Sequence, residues 1–232
     1  MAGRLAGFLK HRFVDDRFLF LLISLFSLLI ISPIIKNFIK LNLLVDIFST
    51  TILLSGIYAA SRKKITFRVA IILAIPMLST TWTGAVVESR TLYLMNDFFS
   101  AIFVGFTGFV IFAYLVQIQE ISTDAIYGAV VVYMLIGVFW AFLYSFLETL
   151  QPGAFELSRV SSELAQEKRF VLFYYSFVTL TTLGYGDITP LSPIAASLAV
   201  VEAILGQIYL AVMIARIVGI HVAQFGHKNS TD

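Results

Sequence analysis

Six stretches of this chain are apolar over 18 residues or more, and they limit its possible folds more than any other feature. A membrane-spanning helix needs roughly 20 apolar residues, and backbone inside hydrocarbon must satisfy its own hydrogen bonds, so long apolar runs become helices. The runs lie at 18–35, 41–60, 65–85, 97–116, 125–150 and 193–223. Composition agrees: 59% of residues are hydrophobic and 13% charged, with a mean hydropathy of +0.92, against about 25% charged in a soluble domain. A water-soluble globule is excluded. The net charge of +2 is too small to suggest nucleic-acid binding. With no cysteine, disulfides, zinc thiolate sites and thiol catalysis drop out. The reading is an all-α integral membrane protein with six transmembrane helices.

Between the fifth and sixth runs lie a polar stretch, 151–168, and a short apolar segment, 169–181. The latter is too short to cross about 30 Å of hydrocarbon and reads as a re-entrant helix. Non-helical backbone can follow it at membrane depth only if buried in protein or lining water. Arg4, Lys10, Arg12 and Arg17 precede the first run as in a signal peptide. That run, however, ends at Pro33 and Lys36 with no small-residue cleavage pattern, so a retained helix is expected. Basic residues cluster in the N-terminal segment, at Arg62, Lys63, Lys64 and Arg68, and at Arg216 and Lys228. By the positive-inside rule these share the cytoplasmic side, with both termini. The opposite side carries Lys36, Lys40 and Arg90 and the glutamates Glu148, Glu156, Glu163 and Glu167, expected to be solvated loop charges.

Directly after the short segment comes Thr181-Thr182-Leu183-Gly184-Tyr185-Gly186-Asp187-Ile188-Thr189-Pro190. Here the pattern stops being generic. Successive carbonyls of an ordinary strand point to alternate sides. Turning them all one way requires left-handed dihedrals at alternate residues, which glycine adopts without steric cost. Gly184 and Gly186 have that spacing.

The T-x-G-Y-G-D signature between a short and a long helix resembles the potassium channel superfamily, in its form with six transmembrane helices and one pore loop per chain. The resemblance is specific over about 170–190 and extends over the fifth and sixth runs. It implies a selectivity filter in which carbonyls of Thr182, Leu183, Gly184 and Tyr185, with Gly186 above them and the Thr182 hydroxyl at the inner end, replace the hydration shell of potassium. One chain holds one such segment and a ring needs four, so a homotetramer in the lipid bilayer is expected. Apart from potassium ions in the filter no cofactor is implied, and no enzyme. The resemblance divides the chain into a cytoplasmic segment, 1–17, a four-helix voltage-sensor-like domain, 18–116, a linker, 117–124, a pore domain, 125–223, and a short cytoplasmic tail, 224–232. A non-selective cation channel and a non-conducting scaffold or transporter subunit are the alternatives.

The resemblance also assigns roles around the filter. Thr181 and the pore-helix tyrosines Tyr174 and Tyr175 would support it, Tyr175 bracing the Tyr185 ring. Val178 stands where some relatives carry a glutamate that bonds the filter aspartate, so Asp187 either finds another partner or stays wet. Leu183 replaces the commonest valine. The dipole at the end of the pore helix, near Leu180 and Thr181, favours a cation below the filter. Gly206, nineteen residues after Asp187, matches the family's flexible inner-helix glycine, and one-turn steps from it give Leu210, Ile214 and Val218 as apolar gate residues.

Three acids interrupt apolar runs. Glu202 is expected to avoid lipid, either bonding the back of a pore helix or serving an ion site. Asp46 is expected to pair with a base or line a water crevice. Asp97, at the start of the fourth run, reads as a simple N-terminal cap. Arg216 is expected to snorkel to the cytoplasmic surface. The fourth run holds no lysine or arginine. It therefore cannot do the work of a voltage sensor, in which each charge moved is worth about 2.3 kcal/mol per 100 mV.

Overall fold

The computed structural model describes residues 17–35, 50–51, 57, 64–87, 89–157 and 168–228. Apart from residues 50, 51 and 57, the second apolar run lies outside the described residues, as do Asp46, Glu163 and Glu167. Elsewhere the apolar runs form helices: α1 Arg17–Ile35, α2 Lys64–Val86, α3 Arg90–Gln117, α4 Thr123–Leu150, α5 Lys168–Leu180 and α6 Pro193–Lys228. Of these, α2, α3, α4 and α6 are long and apolar enough to cross a membrane. The apolar stretch of α1, Phe18–Ile30, is shorter, and α5 with 13 residues is about 20 Å long. The chain is a multi-pass, all-α membrane protein.

α4 is the hub. Its side chains are apolar on nearly every face, the pattern of a helix enclosed by others, and α1, α3, α5 and α6 all pack on it. Where α4 meets α5, a Cβ on Gly137 would lie 2.9 Å from the Phe177 ring, which would have to shift to admit it. Only residues 118–122 separate α3 from α4. Five residues reach about 18 Å at most, and the two helices fold back on each other within one chain.

The helix ends show why the elements stop where they do. Ser122 caps α4 by accepting from the Ala125 N–H at 3.2 Å, and Asp124 in the first turn accepts from the Phe18 N–H, tying α1 to α4. After α4 the chain turns through Gly153 at φ 86° into a two-residue strand β1, Phe155–Glu156. This strand pairs antiparallel with β2, Thr189–Pro190, in the register Phe155↔Pro190. The Ala154 carbonyl then accepts from Leu191 and Ser192. Ser192 caps α6 through the Ala195 N–H, with Pro193 at the first helical position. The ribbon thus fastens both ends of the α5 excursion.

Glu148 corrects one sequence expectation. It is no solvated mouth charge but buried, accepting from the N–H groups of Gly153 at 3.0 Å and Phe155 at 3.2 Å, with Lys168 Nζ at 3.8 Å. It organises the turn that starts the ribbon. Glu148→Ala leaves the buried Phe155 N–H unpaired, and a thermal melt in lipid nanodiscs should register a loss of about 1–3 kcal/mol.

Candidate functional site

The segment after α5 owes its shape to the end of that helix. Four free carbonyls are expected there, and the following backbone turns back on them. The N–H groups of Thr181, Thr182 and Leu183 donate to Phe177, Thr179 and Val178 at 3.1, 2.9 and 2.9 Å, while the Thr181 hydroxyl donates to the Phe177 carbonyl at 2.7 Å. Beyond this anchor the backbone alternates in hand. Thr182, Gly184 and Gly186 have φ of 59°, 57° and 73°, while Leu183 and Tyr185 stay at negative φ. This alternation of hand is what successive carbonyls need to share a side.

Gly184 and Gly186 are the expected left-handed positions; Thr182 is not expected. A β-branched residue there is a genuine outlier, costing about 1–3 kcal/mol, and persists only when its surroundings over-determine it. The flanking bonds from Thr182 and Leu183 to α5 supply that determination. The segment is open on its other side: Thr181 to Tyr185 are exposed in the single chain, Tyr185 at 67%.

Behind the segment, Asp187 finds its partner. Tyr174 Oη donates to Asp187 Oδ2 at 2.8 Å, and the Ile188 N–H donates to Oδ1 at 3.1 Å. A tyrosine on α5 thus does what Val178, one turn further on and apolar, cannot. Tyr175 is placed differently from expectation. Its ring is buried against Tyr144 and Phe155, with centroids 5.1 and 5.3 Å away, so within one chain it braces α5 on α4 and β1. Tyr185 is not among its ring contacts in the described residues.

Glu202 lies fully buried where α6 crosses behind α5. Tyr144 Oη is 2.5 Å from Glu202 Oε2, and Ser176 Oγ on α5 is 2.5 Å from Oε1. The expectation that it avoids lipid and bonds the back of the short helix agrees with this geometry. One turn on, Gly206 is buried, and a Cβ there would meet the Leu180 carbonyl oxygen at 2.7 Å. Gly206 is therefore a packing glycine that lets α6 close on the end of α5, and α6 runs unbroken through it. Its face of α6 continues through the buried Tyr209 and Met213. The proposed gate residues turn progressively away from it: Leu210 is half-buried, Ile214 and Val218 are 59% and 55% exposed.

Two further polar sites complete the picture, and the first differs from the sequence reading. Asp97 is not an N-terminal cap, because α3 begins seven residues earlier at Arg90, after Ser89 in extended conformation. Asp97 is completely buried, 3.1 Å from Arg169 Nη2 at the start of α5, and accepts from Ser145 Oγ at 2.6 Å. Arg169 also lies over the Tyr93 ring, 5.7 Å from its centroid. Next to it, buried Asn96 accepts from Thr81 at 2.9 Å and Ser100 at 3.2 Å. Nothing local in sequence signals the pair, whose members are 72 residues apart. Arg216, expected to snorkel to the cytoplasmic surface, donates to the carbonyls of Leu115, Val116 and Ile118 at 3.2, 2.5 and 3.0 Å. A cation there complements the C-terminal end of the α3 dipole. Asp97 and Arg216 between them bond α3 to α5 near its first turns and to α6 at its last.

Residues 126–222 match the family model described as "Ion channel". The match runs from the first turn of α4 through α5 and the signature segment almost to the end of α6. No curated protein and no solved structure matches the chain. The matched domain and the four apolar spans support an ion channel in a membrane.

Breaking a buried ion pair by removing one partner typically costs about 3–5 kcal/mol, whereas replacing both by apolar residues is often neutral. Asp97→Leu alone should accordingly lose several kcal/mol in chemical unfolding, and combining it with Arg169→Met should recover most of the loss.

Proposed function

We propose that the chain is one subunit of a homotetrameric, potassium-selective channel that conducts passively across the cell membrane. The observation that carries this reading is the alternation of hand at Thr182, Gly184 and Gly186 on an exposed segment. A ring of backbone carbonyls can replace the hydration shell of potassium only if successive oxygens share a side. A single chain supplies one quarter of such a ring, and closed rings of identical chains are cyclic assemblies. The bare Tyr185 and the apolar, exposed face of α6 support that assembly. Thr182, Leu183, Gly184 and Tyr185 offer the carbonyls, Tyr174 steadies Asp187 above them, and Ile214 and Val218, with Leu210 beside them, supply an apolar constriction that can close by dewetting.

Opening does not depend on a conventional voltage sensor in this proposal. α3 carries no lysine or arginine after Arg90, and its bonds to Arg169 and Arg216 oppose the sliding that a sensor performs. Both termini lie on the cytoplasmic side, by the distribution of basic residues.

Rubidium or potassium uptake into vesicles holding the purified chain, with sodium and lithium controls and barium as blocker, tests the reading. Selective, barium-sensitive flux supports it. Equal sodium and potassium flux would leave a non-selective cation channel, and absence of flux a scaffold. Gly184→Ala should abolish selective flux, because alanine at φ 57° is strained. A steep conductance–voltage relation carrying several gating charges would overturn the account of α3.

A further inference from the structure

The hydrogens around Glu202 can be counted. Ser176 Oγ lies 2.7 Å from the Gly137 carbonyl oxygen and 2.5 Å from Glu202 Oε1. A serine hydroxyl has one hydrogen, and a carbonyl or a carboxylate oxygen can only accept. With Glu202 ionised, two acceptors compete for that single hydrogen and one short oxygen–oxygen contact has none. A proton on Oε1 completes the set: Glu202 donates to Ser176, Ser176 donates to Gly137, and Tyr144 donates to Oε2 at 2.5 Å. Each hydrogen is then used once.

The surroundings offer a carboxylate no counter-charge. The titratable groups facing Glu202 are tyrosines: Tyr133 and Tyr144 from α4, and Tyr175 from α5. Among the described residues no lysine, arginine or histidine pairs with it. The buried acids Asp97 and Glu148 differ: Asp97 has Arg169, and Glu148 has Lys168 and two backbone N–H groups. A lone ionised acid inside a membrane domain is expensive, while a neutral acid in an apolar site is a good hydrogen-bond donor.

We propose that Glu202 is held as an uncharged carboxylic acid and acts as a positioning residue, clamping α5 between α4 and α6 through a one-directional chain of hydrogen bonds. Ser176 lies one turn before Leu180, the last residue of α5, whose carbonyl oxygen Gly206 approaches and Tyr133 bonds at 3.3 Å. The clamp thereby fixes the level from which the Thr182–Gly186 segment departs. In a four-fold assembly it also keeps four negative charges out of the space behind the carbonyl column. The clamp supports the pore reading above without requiring it.

Infrared difference spectra of the full chain in lipid nanodiscs, wild type minus Glu202→Gln at neutral pH, test the proposal. The expected result is a carbonyl-stretch band of a protonated carboxylic acid, lost in the variant, shifted by deuterium exchange and displaced in Ser176→Ala. Glutamine supplies an N–H donor for Ser176 and an acceptor for Tyr144, so Glu202→Gln should assemble normally and carry rubidium flux within about two-fold of wild type. Absence of the band overturns the proposal. So does failure of Glu202→Gln to assemble, because the neutral isostere would then not replace the acid. A wild type that shows the band without flux refutes the pore reading and leaves the clamp standing.

Discussion

A threonine at φ 59° is the most costly backbone feature of the described chain, and the site depends on keeping it there. The cost is met by position. The N–H groups of Thr182 and Leu183 reach the carbonyls of Thr179 and Val178 only if α5 ends where it does and in that orientation. Everything packed around α5 restrains those two variables. Gly137 and Gly206 admit it closely on two sides, Arg169 ties its first turn to α3, and the β1–β2 ribbon returns the chain to α4 after Ile188. The short helix is a part held from every direction.

Buried acids do much of this holding, each by different chemistry. Glu148 accepts from backbone N–H groups in a turn. Asp97 faces a guanidinium and a serine hydroxyl. Glu202 has only hydroxyl partners. The division follows the donors within reach: backbone N–H groups for Glu148, a guanidinium for Asp97 and hydroxyls for Glu202. The three acids face α3, α4, α5 and α6 between them, so polar contacts add to the apolar packing in fixing how these helices lie on one another.

What could be read from sequence follows the same physics. The Gly184 and Gly186 requirement was legible because only glycine takes left-handed dihedrals freely, so the backbone geometry leaves a residue-type imprint. Thr182 left none, because tertiary bonds impose its conformation against its own preference. Among the described residues, the helices of the runs at 18–35, 65–85, 125–150 and 193–223 were legible from hydropathy to within about five residues, while the start of α3 was not. There Asn96 and Asp97 look like a polar boundary yet are buried partners of Thr81, Ser100, Ser145 and Arg169. Glu202 announced itself as a charge within an apolar run, but its partners are 26 and 58 residues away and no local pattern points to them. Spacing from Asp187 marks Gly206 and points to flexibility. Its contact with Leu180 shows a second reason for glycine, closeness, that spacing alone does not distinguish.

The five-residue connection between α3 and α4 has a consequence for biogenesis. So short a tether keeps α3 against the α4 of its own chain, and the bonds from Arg169 and Arg216 are likewise made in cis. A newly inserted polypeptide can therefore complete these contacts on its own. In the proposed tetramer, maturation of each chain and its assembly with the others are then separable stages.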